Sequence, residues 1–210
     1  MATLVEQLSV VGSALNPADV TKASGSANPF VYLDIVIGGE PKGRIVIELY
    51  SDVCPKTAEN FKSLVLGDKK NQQNKKLHYK GVHLHSVVPS WYVVGGDITN
   101  NNGTGGESIY GKFFPDENFI LKHDRPGRVS MLNFKNNTNN SQFIIALRPA
   151  PSMDGQYPVF GQVVAGMDVL HKIEIAGTPD GRPLKPVIIG DCGVLPPGSA
   201  KMFPQVPDPQ

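Results

Sequence analysis

Two histidines two residues apart, His83 and His85, are the side chains whose spacing most directly suggests chemistry. On a strand they share one face and could begin a metal site. No third ligand follows at a matching spacing, so no metal is expected. The two cysteines, Cys54 and Cys192, are too few and too far apart for a zinc pattern. They read as two buried thiols, with a single disulfide as the alternative. Four lysines, Lys69, Lys70, Lys75 and Lys76, crowd one polar stretch. A solvated loop is the plainer reading of them, and a contact to RNA or an acidic partner the sharper one. No phosphate-binding glycine loop, Cys/His nucleophile pair or paired acidic site is present. Covalent and metal-assisted chemistry therefore has no candidate residues, and no cofactor is expected.

The elements that must position any site are short. The 22 glycines and 18 prolines favour turns over long helices, because proline removes a backbone donor and glycine costs chain entropy. Phe30 to Ile37 is rich in β-branched and aromatic residues, Gly38-Gly39 marks a turn, and Arg44 to Tyr50 returns as a second strand. Pro55 opens a helix through Leu66, with Phe61, Leu64 and Val65 inward and Gly67 at its C-terminal cap. A polar loop covers residues 68–76. Further strands are predicted over 81–88, 128–132, 142–146, 159–164 and 186–189, and a second helix begins at Met167. Many short strands with one early and one late helix predict a mainly β fold, an antiparallel barrel capped by helices.

Three zones follow. Residues 1–28 form a leader in which Leu4, Leu8, Val11 and Leu15 recur at helical spacing until Asn16-Pro17 stops the pattern. Residues 29–195 form the body. Residues 196–210 form a tail that Pro196, Pro197, Pro204, Pro207 and Pro209 keep extended. Leader, tail or the 68–76 loop could each contact a larger protein assembly. The 20 basic and 19 acidic residues nearly cancel, which weighs against nucleic acid and against an anionic bilayer. No stretch approaches the ~20 apolar residues of a membrane span. The N-terminus lacks the basic start of a signal peptide, and the first lysine is Lys22. A cytoplasmic location is expected, so the Asn-x-Ser/Thr triplets at Asn102, Asn136 and Asn139 read as loop chemistry.

The body resembles the cyclophilin family of peptidyl-prolyl isomerases through many collinear segments. These include residues 55–61, the glycine-rich 94–99 and 102–106, Ser108-Ile109-Tyr110-Gly111, residues 116–119, Ser141-Gln142-Phe143-Ile144, residues 159–163 and Asp191-Cys192-Gly193. The resemblance spans roughly residues 29–195. It implies a closed eight-stranded antiparallel β-barrel capped by two α-helices, acting on X-Pro bonds without cofactor or metal.

Rotation about an X-Pro bond is slow because amide resonance sets a barrier of ~18–20 kcal/mol. A cation aimed at the prolyl nitrogen weakens that resonance. The family places an arginine for this task in a strand that reads here Leu84-His85-Ser86-Val87-Val88-Pro89. The arginine position is Ser86, a short uncharged donor. The resemblance implies Ser86, Asn133 and Gln142 as the remnants of the catalytic set. It implies Trp91, Val94, Phe134, Ile144, Met153, Tyr157 and Phe160 as the proline-binding surface. The family's lip tryptophan is Ser152 here, which puts cyclosporin-type binding in doubt. Trp91 and Tyr92 are adjacent on one strand, so one faces in and the other out, and Trp91 is the one expected at the site. The expected function is a domain that binds proline-containing segments with weak or no isomerase activity. The alternatives are an active isomerase that assists folding and a purely structural subunit of a complex.

Overall fold

The computed structural model describes residues 28–197 and Ser199. The leader helix and nearly all of the proline-rich tail lie outside the described residues.

The first hairpin sets the frame. β1 (Phe30–Ile37) and β2 (Glu40–Leu49) pair antiparallel across Gly38-Gly39. Both glycines have positive φ, 60° and 86°, and such a turn matches the twist of the flanking strands. Alternation along β1 sends Val31, Leu33, Ile35 and Ile37 inward. Helix α1 (Pro55–Leu66) starts on the proline, whose missing N–H would have been unpaired there in any case. It ends at Gly67, where φ is 64° and the N–H donates to the Ser63 carbonyl.

The remaining elements are β3 (Lys69–Lys70), β4 (Lys76–Leu77), β5 (Ser86–Val88), β6 (Tyr92–Gly95), β7 (Arg128–Met131), β8 (Phe143–Ala146), a 3-10 turn (Pro151–Met153), β9 (Val159–Ala165), α2 (Met167–Ile175) and β10 (Val187–Val194). Eight strands form one antiparallel sheet in the order β10-β1-β2-β9-β7-β8-β6-β5. α1 packs on β10, β1 and β9, and α2 packs on β2 and β5.

The sheet is an open half-barrel, which corrects the expected closed barrel. Its end strands, β10 and β5, do not pair with each other. The predicted strand over 81–88 is divided instead. Residues 81–84 run beside β10, with the Leu84 N–H donating to the Val187 carbonyl at 2.9 Å and the Ile189 N–H to the Val82 carbonyl at 2.9 Å. Only residues 86–88 then pair with β6. The chain changes neighbours at His85, so no continuous ladder spans the seam; a single bridge, His83 to Ile188, crosses it.

Inside, Phe61 of α1 meets Tyr79, Phe143 and Phe160 with ring centroids 5.0, 5.2 and 5.1 Å away. The Tyr79 hydroxyl donates to the Ser141 carbonyl at 2.6 Å, so its one polar atom is satisfied in the core. Cys54 and Cys192 are free and buried, the thiol reading rather than the disulfide. Burial pushes the Cys54 thiol up to about 12 and Cys192 up to about 11, so neither is a thiolate at neutral pH. Among the described residues no helix is long and apolar enough to cross a membrane.

Candidate functional site

Strands β6 and β8 bury both of their faces. Val93 and Ile145 enter the main core. Their neighbours Val94 and Ile144 point the other way, into a second and smaller cluster with Ala150 and Met153. Tyr92, Leu132 and Tyr157 pack against it and stay partly exposed. The result is an apolar, aromatic-edged surface on the outer face of the sheet.

Pairing orders this face. Ser86 lies opposite Val94, Val94 opposite Ile144, and Ile144 opposite Ser130. Partners across strands share a face, so the four positions form one row. Ser86 is at one end, under the loop that precedes β10. A Cβ at Gly181, where φ is 84°, would come within 2.7 Å of the Ser86 hydroxyl. Strands are about 4.8 Å apart, so Ile144 lies two strand spacings from Ser86, beyond the reach of a serine hydroxyl. A long cationic side chain spans that distance, and none stands there.

At the other end of the row the Ser130 hydroxyl and His123 Nε2 are 2.9 Å apart, and His123 Nδ1 and Asp154 Oδ1 are 2.9 Å apart. A carboxylate only accepts, so Nδ1 carries the proton and Nε2 accepts from Ser130. The spacing is that of a nucleophile, base and acid. Ser130 and His123 are 0% and 1% exposed, however, so no substrate reaches the hydroxyl. Burial holds the His123 pKa below its ordinary value and keeps the ring neutral. The chain of bonds instead anchors the 3-10 turn. Asp154, next to Met153, also accepts from the His123 N–H at 2.8 Å, and the Ala150 N–H donates to the His123 carbonyl at 2.7 Å.

The glycine-rich loop beside the face is organised by Asp97, which is fully buried. Its Oδ1 accepts from the Thr99 and Asn100 N–H groups, and its Oδ2 from those of Asn102, Gly103 and Gly105, at 2.9–3.3 Å. Burial alone would raise its pKa. The donated bonds outweigh burial and hold it down at about 2. Gln142 ties this loop to the sheet. Its Nε2 donates to the Gly103 and Gly105 carbonyls at 3.0 and 2.8 Å, while its buried Oε1 has no partner.

The residues implied by the sequence are thus divided. Val94, Ile144, Met153 and Tyr157 come together on the outer face. Phe160 does not; it is fully buried in the main core against Phe61, a correction that follows from the inward parity of β9. Trp91 and Tyr92 stand together at the edge of this face. Tyr92 packs on the cluster, and Trp91 stands 41% exposed with its ring 4.8 Å from that of Tyr92. Trp91 precedes the strand, in a turn where Ser90 has a φ of 59°, so strand alternation does not govern it. Phe134 is 59% exposed in the turn after β7, apart from the cluster. Asn133 donates to the Gln156 carbonyl at 2.8 Å, bracing the segment before β9 that carries Tyr157. Leu132, Ala150, His123 and Asp154 were not anticipated. Among the described residues no group of three or more His, Cys, Asp or Glu side chains could hold a metal.

The fold and this outer face agree with the match to known families. The model of the cyclophilin type peptidyl-prolyl cis-trans isomerase/CLD family covers residues 32–194, most of the chain, and the protein belongs to that family.

Proposed function

We propose that this domain binds proline-containing segments on the outer face formed by Tyr92, Val94, Leu132, Ile144, Met153 and Tyr157, and that it catalyses X-Pro isomerisation weakly or not at all. The observation that carries the reading is the row Ser86–Val94–Ile144. Its apolar half is intact and edged by aromatic rings, which suits a proline ring. Its other end offers a short hydroxyl where the family's chemistry calls for a cation. Removing one preorganised electrostatic group of this kind lowers rate by about 10²–10³. Among the described residues no other cationic side chain belongs to the row.

A second reading, a slow but working isomerase, draws on the intact apolar surface and on Asn133 and Gln142, which still brace the segments around it. An X-Pro exchange experiment by NMR on a short peptide separates the two. The wild type is expected to bind the peptide and leave its exchange unchanged, and Ser86→Arg is expected to restore exchange. Clear wild-type exchange would sink the non-catalytic reading. Absence of peptide shifts would sink the binding reading.

A further inference from the structure

The four lysines of the 68–76 stretch belong to a short solvated hairpin, β3–β4 with its connecting turn. All four are exposed, and none forms an ion pair among the described residues. The hairpin is held firmly. The Asn71 N–H donates to the Lys75 carbonyl at 2.9 Å, and the Asn71 side-chain oxygen accepts from the Gln73 and Lys75 N–H groups at 3.0 and 2.9 Å. The Asn71 side-chain nitrogen donates to Glu107 at 2.9 Å and pins the hairpin to the next loop. The register sets Lys70 directly opposite Lys76. Like charges facing each other across two strands destabilise a hairpin, so folding gains nothing from the pairing. An incoming carboxylate relieves it.

Beside the hairpin lies a groove of about 670 Å³, lined by Lys70, Leu77, Gly106, Glu107, Tyr110 and Lys112. It adjoins the glycine-rich loop whose Gly103 and Gly105 carbonyls are held by Gln142. The groove and the outer face of the sheet therefore border the same loop.

We propose that the hairpin captures acidic side chains flanking the proline-bearing segment of a protein partner. The proposal rests on the peptide-binding reading above and adds a charge preference to it. A short acidic stretch fits better than a nucleic acid. The chain's net charge is +1, which gives no long-range pull on a polyanion.

The test is calorimetric titration of the full chain with a proline peptide carrying neutral flanks, the same peptide with a run of glutamates, and a glutamate peptide without proline. The acidic flank is expected to tighten binding about tenfold at low salt, the sum of several exposed ion pairs. The gain should shrink as salt rises. The double variant Lys70→Glu/Lys76→Glu, with its fold checked by circular dichroism, should lose the gain and keep the affinity for the neutral peptide. Equal affinity for the two proline peptides overturns the proposal. Tighter binding of a single-stranded oligonucleotide than of the acidic peptide also overturns it, in favour of nucleic acid. If the neutral proline peptide does not bind while both glutamate-bearing peptides bind equally, and charge reversal abolishes that binding, the hairpin's capture of acidic side chains stands and the proline reading fails.

Discussion

Ile144 and Ile145 are neighbours in one strand, yet they serve two different regions of the molecule. Ile145 joins a core that contains Phe61, Tyr79, Phe143 and Phe160, four rings in mutual contact and sealed from water. Ile144 joins an outer cluster of a few side chains that Tyr92, Leu132 and Tyr157 leave open at the edge. The inner region is closed on all sides and has nothing left to bind. The outer region is finished only when something covers it. One sheet thus separates stability from recognition by the side on which a residue falls, and substitutions on the two sides should have different signatures.

The strongest way to break this division is Phe160→Ala. If Phe160 belongs only to the inner core, truncation costs about 3–5 kcal/mol, the range for a large buried ring. Chemical denaturation would show that loss. The milder Phe160→Leu should stay folded and keep its proline-peptide affinity unchanged. Weakened peptide binding by folded Phe160→Leu would return the residue to the site.

The glycine-rich loop stands between the two regions, and acid should loosen it first. Asp97 has a folded-state pKa of about 2, below its unfolded value near 3.9. Its contribution is therefore fully present above pH 4 and lost as pH falls from about 4 to about 2. A depression of that size is worth at most about 2.6 kcal/mol. Denaturant midpoints measured across that window should fall in the wild type. In Asp97→Asn, destabilised throughout, they should fall less steeply. Parallel slopes in the two proteins would remove Asp97 as the cause.

How much of this was legible in the sequence depends on the range of the interactions. The β1–β2 hairpin, α1 and its Gly67 cap are written in local pattern, and the structure has them. The strand expected at Trp91-Tyr92 is β6, which begins only at Tyr92 and ends at Gly95, too short for alternation to fix its bounds. The 68–76 hairpin was missed because its turn depends on Asn74 at a φ of 62° and on the Asn71 side chain, both hidden within a run of polar residues. The outer face was half legible. Val94, Ile144, Met153 and Tyr157 follow from family positions, whereas Phe160, drawn from the same positions, is sealed in the main core. The bond between His123 and Asp154 joins residues 31 apart, and no spacing rule announces it.

The finest test of the division compares Tyr92 with its neighbour Trp91. The Tyr92 ring covers the outer cluster without being sealed in, so Tyr92→Ala should cost less than about 1 kcal/mol of stability, as surface changes do. Losing one aromatic contact worth about 0.5–1.5 kcal/mol beyond its area should weaken proline-peptide binding about tenfold. Trp91→Ala removes a ring that touches Tyr92 but not the cluster, and its effect on binding should be several-fold smaller. Peptide titrations of the two variants, followed by NMR shifts on the β6 amides, decide the matter. A larger loss from Trp91→Ala would mean that the exposed tryptophan folds over the bound proline, and that the recognition surface extends past the strand edge into the turn at Ser90.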